Sequence, residues 1–274
     1  MNAGNNSGNT LLRIVEKRQE TVAHRKRVLP LVALKFAVEK KAPPVRDFSA
    51  ALTANHLNVI AELKKASPSR GVIRENFAPA QLAAELTHAG AAALSVLTEE
   101  DFFAGSLTFL KEARAATSVP ILRKDFIFDP WQVWEARAAG ADSFLLIAAI
   151  LNQDTLLELI GLGRHLGMEP LVEVHTHEEL RRAIEAGAVI VGVNARDLTT
   201  FEVSLDRALE LAAEIPEECV AVAESGIHTN QDLARLSGAG FDAFLIGEYL
   251  MKQLQPGDAL RQILAASEPK TARS

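Results

Sequence analysis

Four segments of the chain repeat one hydrophobic and polar pattern, in which an amphipathic stretch ends at a glycine and a short apolar run follows. The glycines are Gly90, Gly140, Gly187 and Gly240, and the runs after them are AALSVL, DSFLLIA, VIVGV and DAFLIG. The stretches are rich in residues that favour helices, whereas the runs contain the β-branched and aromatic residues that favour strands. Because glycine often closes a helix in a left-handed conformation, each segment predicts a helix, a glycine cap and a buried strand.

Eight apolar runs in all are candidates for buried strands. They lie near 58–63, 92–97, 120–123, 143–148, 170–174, 189–193, 219–223 and 242–246. Helical patterns such as PAQLAAELTHAG separate them, and continuously apolar strands are typical of a parallel sheet covered by helices. This alternation predicts the α/β class and a (β/α)8 TIM barrel, with a doubly wound open sheet as the alternative. We expect a single domain over residues 1–274.

The residues before the first predicted strand form an extension. Residues 11–50 contain the helical pattern LLRIVEKRQETVAHRKRV, and we expect extra N-terminal helices that cap the barrel floor, where the strands begin. Residues 1–9 and 268–274 are polar, and we expect both to be disordered.

Composition and charge limit the partners. The chain is 48% hydrophobic and 23% charged, and its net charge of −6 disfavours a nucleic-acid partner. An anionic ligand must therefore be held by a few local cations or backbone amides. The longest apolar run, Phe144–Leu151, is shorter than the ~20 residues of a membrane helix, and MNAGNNSGNT lacks the apolar region of a signal peptide. We expect a cytoplasmic, monomeric protein without a membrane partner, and Cys219, the lone cysteine, excludes an internal disulfide.

Reactive side chains stand where the predicted strands end. They are Glu62, Lys64, Lys124, Glu173, Asn194, Arg196 and the Glu224-Ser225 pair. Barrel enzymes carry their chemistry at this end, and an ionisable group at the end of a buried strand is costly unless it is paired or used. Each residue alone is compatible with a structural ion pair. The convergence of two lysines and two glutamates, Lys64, Lys124, Glu62 and Glu173, favours an acid–base site.

Small residues after the last two strands predict an anion site. Ser225-Gly226 and Gly247-Glu248 each lead into a helix, where backbone amides can bind a phosphate. Ser67, after the first strand, can add a hydroxyl. The alternative is that these glycines only allow tight turns.

The alternating residues Glu173, His175 and His177 resemble the spacing of a zinc site. However, Thr176 has the position of a helix N-cap, with Glu179 completing a capping box. We therefore expect no metal here.

Five segments together resemble the indole-3-glycerol phosphate synthase family. They are IAELKKASPS (60–69), LRKDF (122–126), PLVEV (170–174), GVNARDL (192–198) and AESGI (223–227). They occur in the family's order, and the similarity extends from about residue 11 to about residue 265.

The resemblance implies a carboxy-lyase of tryptophan biosynthesis that works without a cofactor. Its substrate would be 1-(2-carboxyphenylamino)-1-deoxyribulose 5-phosphate, which closes a ring and loses carbon dioxide and water to form indole-3-glycerol phosphate. The absence of a GxGxxG dinucleotide motif agrees with this expectation.

The resemblance also implies a role for each residue. Lys124 would be the general acid of ring closure, Lys64 would meet the substrate carboxylate, and Glu62 and Glu173 would orient the lysines and move protons. The other matched residues are Asn194 at the substrate hydroxyls, Arg196 and Ser225 at the mouth, Ser67, Gly226, Gly247 and Glu248 at the phosphate, and Phe103 and Phe126 around the aromatic ring.

Two further expectations concern the details of this site. Burial and Lys64 would lower the pKa of Lys124 towards neutrality, although Glu62 and Glu173 oppose that shift. Tyr249 stands where the family pattern leads us to expect a smaller residue. His177 also differs from the family pattern.

Three alternatives stay open on the sequence alone. Phosphoribosylanthranilate isomerase, another phosphate-binding barrel, needs a cysteine or comparable base, but Cys219 precedes the core of its strand. A metal-dependent hydrolase would lose activity in strong chelators. A non-catalytic binding barrel would show no turnover.

Overall fold

The computed structural model describes residues 8–53, 57–196 and 202–265, and its strands close into a barrel. The strands are β1 Asn58–Leu63, β2 Ala66–Ser67, β3 Gly71–Val72, β4 Ala93–Leu97, β5 Ile121–Lys124, β6 Ser143–Ile147, β7 Leu171–Val174, β8 Ile190–Asn194, β9 Val220–Glu224 and β10 Ala243–Ile246. All are parallel members of the barrel except β2 and β3, which form an antiparallel pair after β1. Each barrel strand pairs with the next one along the chain, and β10 pairs with β1. The TIM-barrel prediction is confirmed, and the open sheet is excluded.

Three α-helices precede the barrel, seven lie between barrel strands and two follow the last strand, within the described residues. They are α1 Gly8–Val28, α2 Leu31–Lys41, α3 Phe48–Leu52, α4 Pro79–His88, α5 Leu107–Ala116, α6 Pro130–Ala139, α7 Gln153–His165, α8 His177–Glu185, α9 Leu205–Ala212, α10 Asn230–Gly238, α11 Glu248–Met251 and α12 Pro256–Ala265. The predicted caps Gly90, Gly140, Gly187 and Gly240 have φ of +99°, +91°, +82° and +107°, so the left-handed conformation is confirmed at all of them. In the part of the chain that the structure describes, no helix is both long and apolar enough to cross a bilayer.

The core has two layers. One lies between the strands and the surrounding helices, and the other fills the inside of the barrel with residues such as Ile60, Leu122 and Ile190. Phe48 and Leu52 of α3 close the inner layer from below. Successive residues of a strand face opposite sides, so every second residue points into the barrel. These inward residues fill the floor with apolar side chains and place polar side chains at the mouth.

The N-terminal helices occupy both ends of the barrel. Asn58 at the start of β1 donates to the carbonyl of Leu52 in α3 at 2.8 Å, so the floor position predicted for the extension is confirmed for α3. It is wrong for α1. Arg18 of α1 is fully buried and binds Asp125, which follows β5 at the opposite end, at 2.6 Å. An amphipathic pattern shows that one face of a helix is buried but not against which end of a barrel it packs.

The expected disorder of residues 1–9 stays a prediction; α1 begins at Gly8. Residues 1–7 and 268–274 lie outside the described residues.

Candidate active site

A cavity of about 170 Å³ opens at the carboxyl ends of the barrel strands. The structure brings every predicted site residue to its wall: Glu62, Lys64, Ser67, Phe103, Lys124, Phe126, Glu173, Asn194, Arg196, Ser225, Gly226, Gly247 and Glu248. These residues come from seven different strands or the loops after them. Their convergence follows from the closed parallel topology, which places all carboxyl ends of the strands in one ring.

Two lysines and several carboxylates form the centre of the cavity. The Lys124 ammonium binds Glu173 Oε2 at 3.0 Å and Glu224 Oε2 at 2.5 Å. Lys64 binds Glu62 Oε2 at 2.8 Å. Glu62, Glu173 and Glu224 are almost fully buried, so these are ionisable groups held out of water in contact with the lysines. Such an arrangement can donate and accept protons inside a closed site.

Glu224 was noticed in the sequence as a reactive side chain at a strand end, but it was not assigned to the site. It ends β9 directly before Ser225, and in the barrel it is the register partner of Asn194 on β8. The rule that selected Glu173, a carboxylate within a buried strand end, applies equally to Glu224, but the resemblance assigned Glu224 no role.

Gly192 explains how Glu224 fits inside the barrel. A Cβ atom at Gly192 would collide with Oε1 of Glu224. The glycine in the VIVGV run therefore leaves room for a carboxylate from the neighbouring strand. Oε1 itself is buried and has no hydrogen-bond partner among the described residues.

The charge state of Lys124 differs from the sequence-based expectation. Burial acts to lower the pKa of Lys124, but the carboxylates of Glu173, Glu224 and Glu62 outweigh burial and raise the pKa above its ordinary value. The expected lowering towards neutrality is therefore wrong. The lysine faces three carboxylates, and its charge is retained at neutral pH.

The pKa values of the two carboxyl groups that contact Lys124 are shifted in opposite directions. For Glu173, burial acts to raise the pKa, but Lys124, His175 and Asn194 lower the pKa to about 2. For Glu224, burial and repulsion from Glu173 and Glu62 outweigh Lys124 and raise the pKa to about 7. One carboxyl group is thus an ionised partner of the lysine, and the other holds a proton near neutral pH.

Polar groups suited to an anion lie on the side of the cavity formed by the loops after β1, β9 and β10. Ser67 Oγ is buried and makes no hydrogen bond within the described residues. Ser225 and Gly226 both have positive φ, +69° and +77°, which turns the chain sharply after β9. The Glu248 carboxylate contacts the Lys252 ammonium at 2.6 Å and the guanidinium of Arg70 at 3.4 Å.

An apolar wall closes another side of the cavity. The rings of Phe103 and Phe126 are 6.1 Å apart, and Leu11 and Ile14 of α1 add to the lining. The two α1 residues were missed because the helix was expected on the floor. Glu99 fixes the loop of Phe103, since its carboxylate accepts the backbone N–H of Phe103 at 3.0 Å and that of Phe102 at 2.8 Å.

A family model described as indole-3-glycerol phosphate synthase matches residues 11–263. The chain belongs to the indole-3-glycerol phosphate synthase family. An indole-3-glycerol phosphate synthase of Albidiferax ferrireducens is 47% identical over 258 residues, which are 93% of this chain and 97% of the relative. One of Burkholderia ambifaria is 46% identical over 255 residues, 92% of this chain and 97% of the relative. The resemblance read from five motifs is confirmed, and with it the carboxy-lyase class and tryptophan biosynthesis.

Solved structures support the fold independently. KGPDC from Streptococcus mutans matches 76% of this chain and 95% of its own, with a TM-score of 0.61 at 16% identity. Thiamine phosphate pyrophosphorylase from Pyrococcus furiosus matches 76% of this chain and 94% of its own, with a TM-score of 0.58 at 16% identity. At these identities the similarity shows the barrel fold alone.

The zinc-like spacing of the sequence has a different structural meaning in this member of the indole-3-glycerol phosphate synthase family. His177 points to the exposed Glu214, with 2.9 Å between Nδ1 and Oε1, while His175 lies beside Glu173. Thr176 caps α8 by accepting the N–H of Glu179, as predicted, but the Glu179 carboxylate accepts the N–H of His175 and not that of Thr176. The capping box is therefore only half formed. Among the residues described, no His, Cys, Asp and Glu side chains group as metal ligands.

Tyr249 and Cys219 lie at opposite ends of the barrel. Tyr249 lines the cavity, and its ring lies 6.2 Å from that of His228, so the larger residue is accommodated at the edge of the site. Cys219 precedes β9 and contacts the carbonyl of Ala188, which precedes β8. The thiol therefore lies at the floor, away from the cavity.

Proposed function

We propose that this chain converts 1-(2-carboxyphenylamino)-1-deoxyribulose 5-phosphate to indole-3-glycerol phosphate by ring closure, decarboxylation and dehydration. The observation that carries the proposal is the position of Lys124 between two carboxyl groups of opposite protonation preference, Glu173 and Glu224. A charged lysine with an adjacent protonated carboxyl group is a proton donor that can be recharged within the site.

Lys124 acts in ring closure. The aromatic carbon that bears the substrate carboxylate attacks the ketone carbon, and the ketone oxygen takes a proton from the Lys124 ammonium. The C–C bond forms as the C=O bond becomes a hydroxyl, so the lysine is left neutral. Glu224, whose Oε2 lies 2.5 Å from Nζ, returns a proton to it. The developing oxyanion is thus neutralised without water entering the site.

The remaining residues complete the sequence of steps. Lys64, fixed by Glu62 at 2.8 Å, pairs with the substrate carboxylate before carbon dioxide leaves, and it is the second acid. The new hydroxyl then departs as water after taking a proton, while a carboxylate removes a proton from the adjacent methylene carbon, and the C=C bond that forms completes the aromatic indole. Glu173 and Glu62 are the carboxylates available for that step. Asn194 and Arg196 hold substrate hydroxyls at the mouth.

The phosphate is held by the loops after β1, β9 and β10. Ser67 Oγ and the backbone amides of Gly226, Gly247 and Glu248 donate to it, with Ser225 beside them. Phe103 and Phe126 pack against the aromatic ring. We also propose that the chain works as one domain and as a cytoplasmic monomer without cofactor, metal or nucleic acid, which its net charge of −6 and single cysteine support.

The test is a fluorescence assay for the indole product. Purified protein is incubated with the carboxyphenylamino substrate in strong chelator, without nicotinamide, flavin or pyridoxal phosphate. We expect turnover under these conditions. Activity lost on metal removal and restored by zinc would contradict the acid–base mechanism, and binding without turnover would indicate a non-catalytic barrel. Turnover of phosphoribosylanthranilate instead would favour the isomerase, against the floor position of Cys219.

A further inference from the structure

His175 lies between two carboxylates at the edge of the candidate site. Its Nε2 is 3.5 Å from Oε1 of Glu173, and its Nδ1 is 3.4 Å from Oε2 of Glu179. The side chain is 11% exposed, so these two carboxylates are its principal polar neighbours. At such distances they are charge contacts and not hydrogen bonds.

The two contacts favour a proton on both ring nitrogens, although neither nitrogen makes a hydrogen bond among the described residues. A neutral imidazole has one N–H and one lone pair, so it would direct a lone pair at one of the two carboxylates. An imidazolium directs an N–H at each. Glu179 cannot easily turn away, because its carboxylate also accepts the backbone N–H of His175 at 2.7 Å.

The charges around His175 come from four elements. Glu173 lies on β7, which ends one residue before His175, Glu179 lies on α8 and Glu224 on β9, and Lys124 of β5 is the cation on the far oxygen of Glu173. Burial acts to lower the pKa of His175, but Glu179, Glu173 and Glu224 raise it above its ordinary value. Electrostatics and geometry therefore both favour the charged form of the ring.

We propose that His175 is a positioning residue of this site, whose imidazolium holds Oε1 of Glu173 so that Oε2 faces Lys124 and Glu173 stays ionised. Glu173 is then placed between two cations, His175 on one oxygen and Lys124 on the other. Glu224, whose one ion-pair contact within the described residues is Lys124, becomes the carboxyl group that holds the exchangeable proton. The histidine thus decides which of the two carboxyl groups is the base and which the acid. This inference rests on the proposed function.

The first experiment measures protonation and not turnover. The imidazole resonances of the seven histidines are followed by NMR against pH, and His175 is assigned by the peak that is lost in His175→Gln. We expect its midpoint above ~6.5 in the wild type. In Glu173→Gln the midpoint should fall by about 1 unit, because one of the flanking charges is gone. A midpoint below ~6.5, or one unmoved by Glu173→Gln, would overturn the proposal.

The second experiment compares kcat for His175→Gln and the wild type across pH. Above the pKa of His175 the wild-type ring is neutral, so the two proteins should behave alike. Below it the variant lacks the cation that holds Oε1 of Glu173, so Oε2 is no longer kept on Lys124, and the kcat ratio of variant to wild type should fall about threefold or more between about pH 8 and about pH 5.5, with KM within about twofold. His177→Gln, an exposed histidine two residues away, is the matched control and should follow the wild type.

The outcomes distinguish a failure of the role of His175 from a failure of the proposed function. A loss of kcat that is equal at every pH would mean that His175 has only a structural role. An inactive Glu173→Gln combined with a His175→Gln variant that matches the wild type at every pH would overturn the role of His175 alone. A Glu173→Gln variant with normal kcat would overturn the proposed role of Glu173 in the reaction, whatever the NMR titration shows.

Discussion

Gly247 lies directly against Glu62, and a Cβ atom on Gly247 would collide with Oε2 of the Glu62 carboxylate. That oxygen is the one that binds Lys64 at 2.8 Å. The sequence assigned Gly247 to the phosphate loop alone. In the structure the same glycine also makes room for a carboxylate in the acid–base centre, so a substitution there disturbs more than phosphate binding.

Gly247→Ala should therefore reduce kcat and not only raise KM. Glu62 has to move away from the new methyl group, which breaks its contact with Lys64, and we expect kcat to fall about tenfold or more, or ~1.4 kcal/mol in barrier. Steady-state kinetics measure the effect. Gly161→Ala is the matched control, because a Cβ at Gly161 meets nothing within 4 Å in the middle of α7. That variant should keep kcat and melt at the same or a higher temperature. A Gly247→Ala variant with raised KM alone would show that the glycine serves only the phosphate.

Replacement of Lys124 separates its charge from proton donation. Arginine preserves the positive charge, but its pKa above ~12 makes proton loss unfavourable. We expect both Lys124→Arg and Lys124→Ala to lose about 100-fold or more in kcat, the usual scale of a positioned acid, with arginine keeping KM closer to normal. Both folded variants are measured beside Lys64→Arg. Near-normal kcat in Lys124→Arg would make the role electrostatic and Lys64 the better candidate for the acid.

Ser67→Ala tests the phosphate site without disturbing the fold. The hydroxyl is buried and unpartnered among the described residues, so its removal costs no internal hydrogen bond. We expect an unchanged melting temperature and a KM raised about fivefold or more, since a hydrogen bond to a charged group is worth about 1.5 kcal/mol or more. Inorganic phosphate should also inhibit the variant less. A KM equal to that of the wild type would place the phosphate elsewhere.

The raised pKa of Glu224 has a consequence for stability. A carboxyl group whose pKa rises from 4.5 to about 7 on folding binds its proton more tightly in the folded state. Its contribution to the free energy of unfolding therefore declines as pH rises through that interval, and it is constant above and below it. Glu224→Gln cannot titrate, so we expect its melting temperature relative to the wild type to increase from about pH 4.5 to about pH 7.5. A difference that is independent of pH would show that Glu224 is already ionised in the folded protein.

The buried ion pair of Arg18 and Asp125 should contribute strongly to stability. Both side chains are 0% exposed. Arg18→Met removes one of the cations that offset the cost of burying the Asp125 carboxylate. Removal of one partner of a buried pair typically costs about 3–5 kcal/mol, although Arg123 and Thr98 still bind Asp125 and reduce that cost. Denaturant unfolding measures it. Arg181→Met, in an exposed pair on α8, is the control and should change stability by less than ~0.5 kcal/mol. Equal effects in the two variants would mean that α1 is not held by its ion pair.

Several features of this protein follow from the sequence alone, because they depend on neighbours along the chain. The glycine caps, the eight strands and the inward face of each strand are determined by local conformational preference and by alternation. Once eight parallel strands are accepted, Glu62, Lys124 and Glu173 must meet at one end. The family motifs then suffice for the reaction class.

Tertiary structure decided what depends on distances between residues far apart in the chain. Lys124, Glu173 and Glu224 follow one another at intervals of about fifty residues, and only closure of the barrel brings β5, β7 and β9 within ion-pair distance. The position of α1 at the mouth, the room that Gly192 and Gly247 leave for carboxylates, and the opposite pKa shifts of two glutamates are all of this kind. Electrostatic energy and steric overlap vary over ångströms, and a linear pattern of residues contains no such distances.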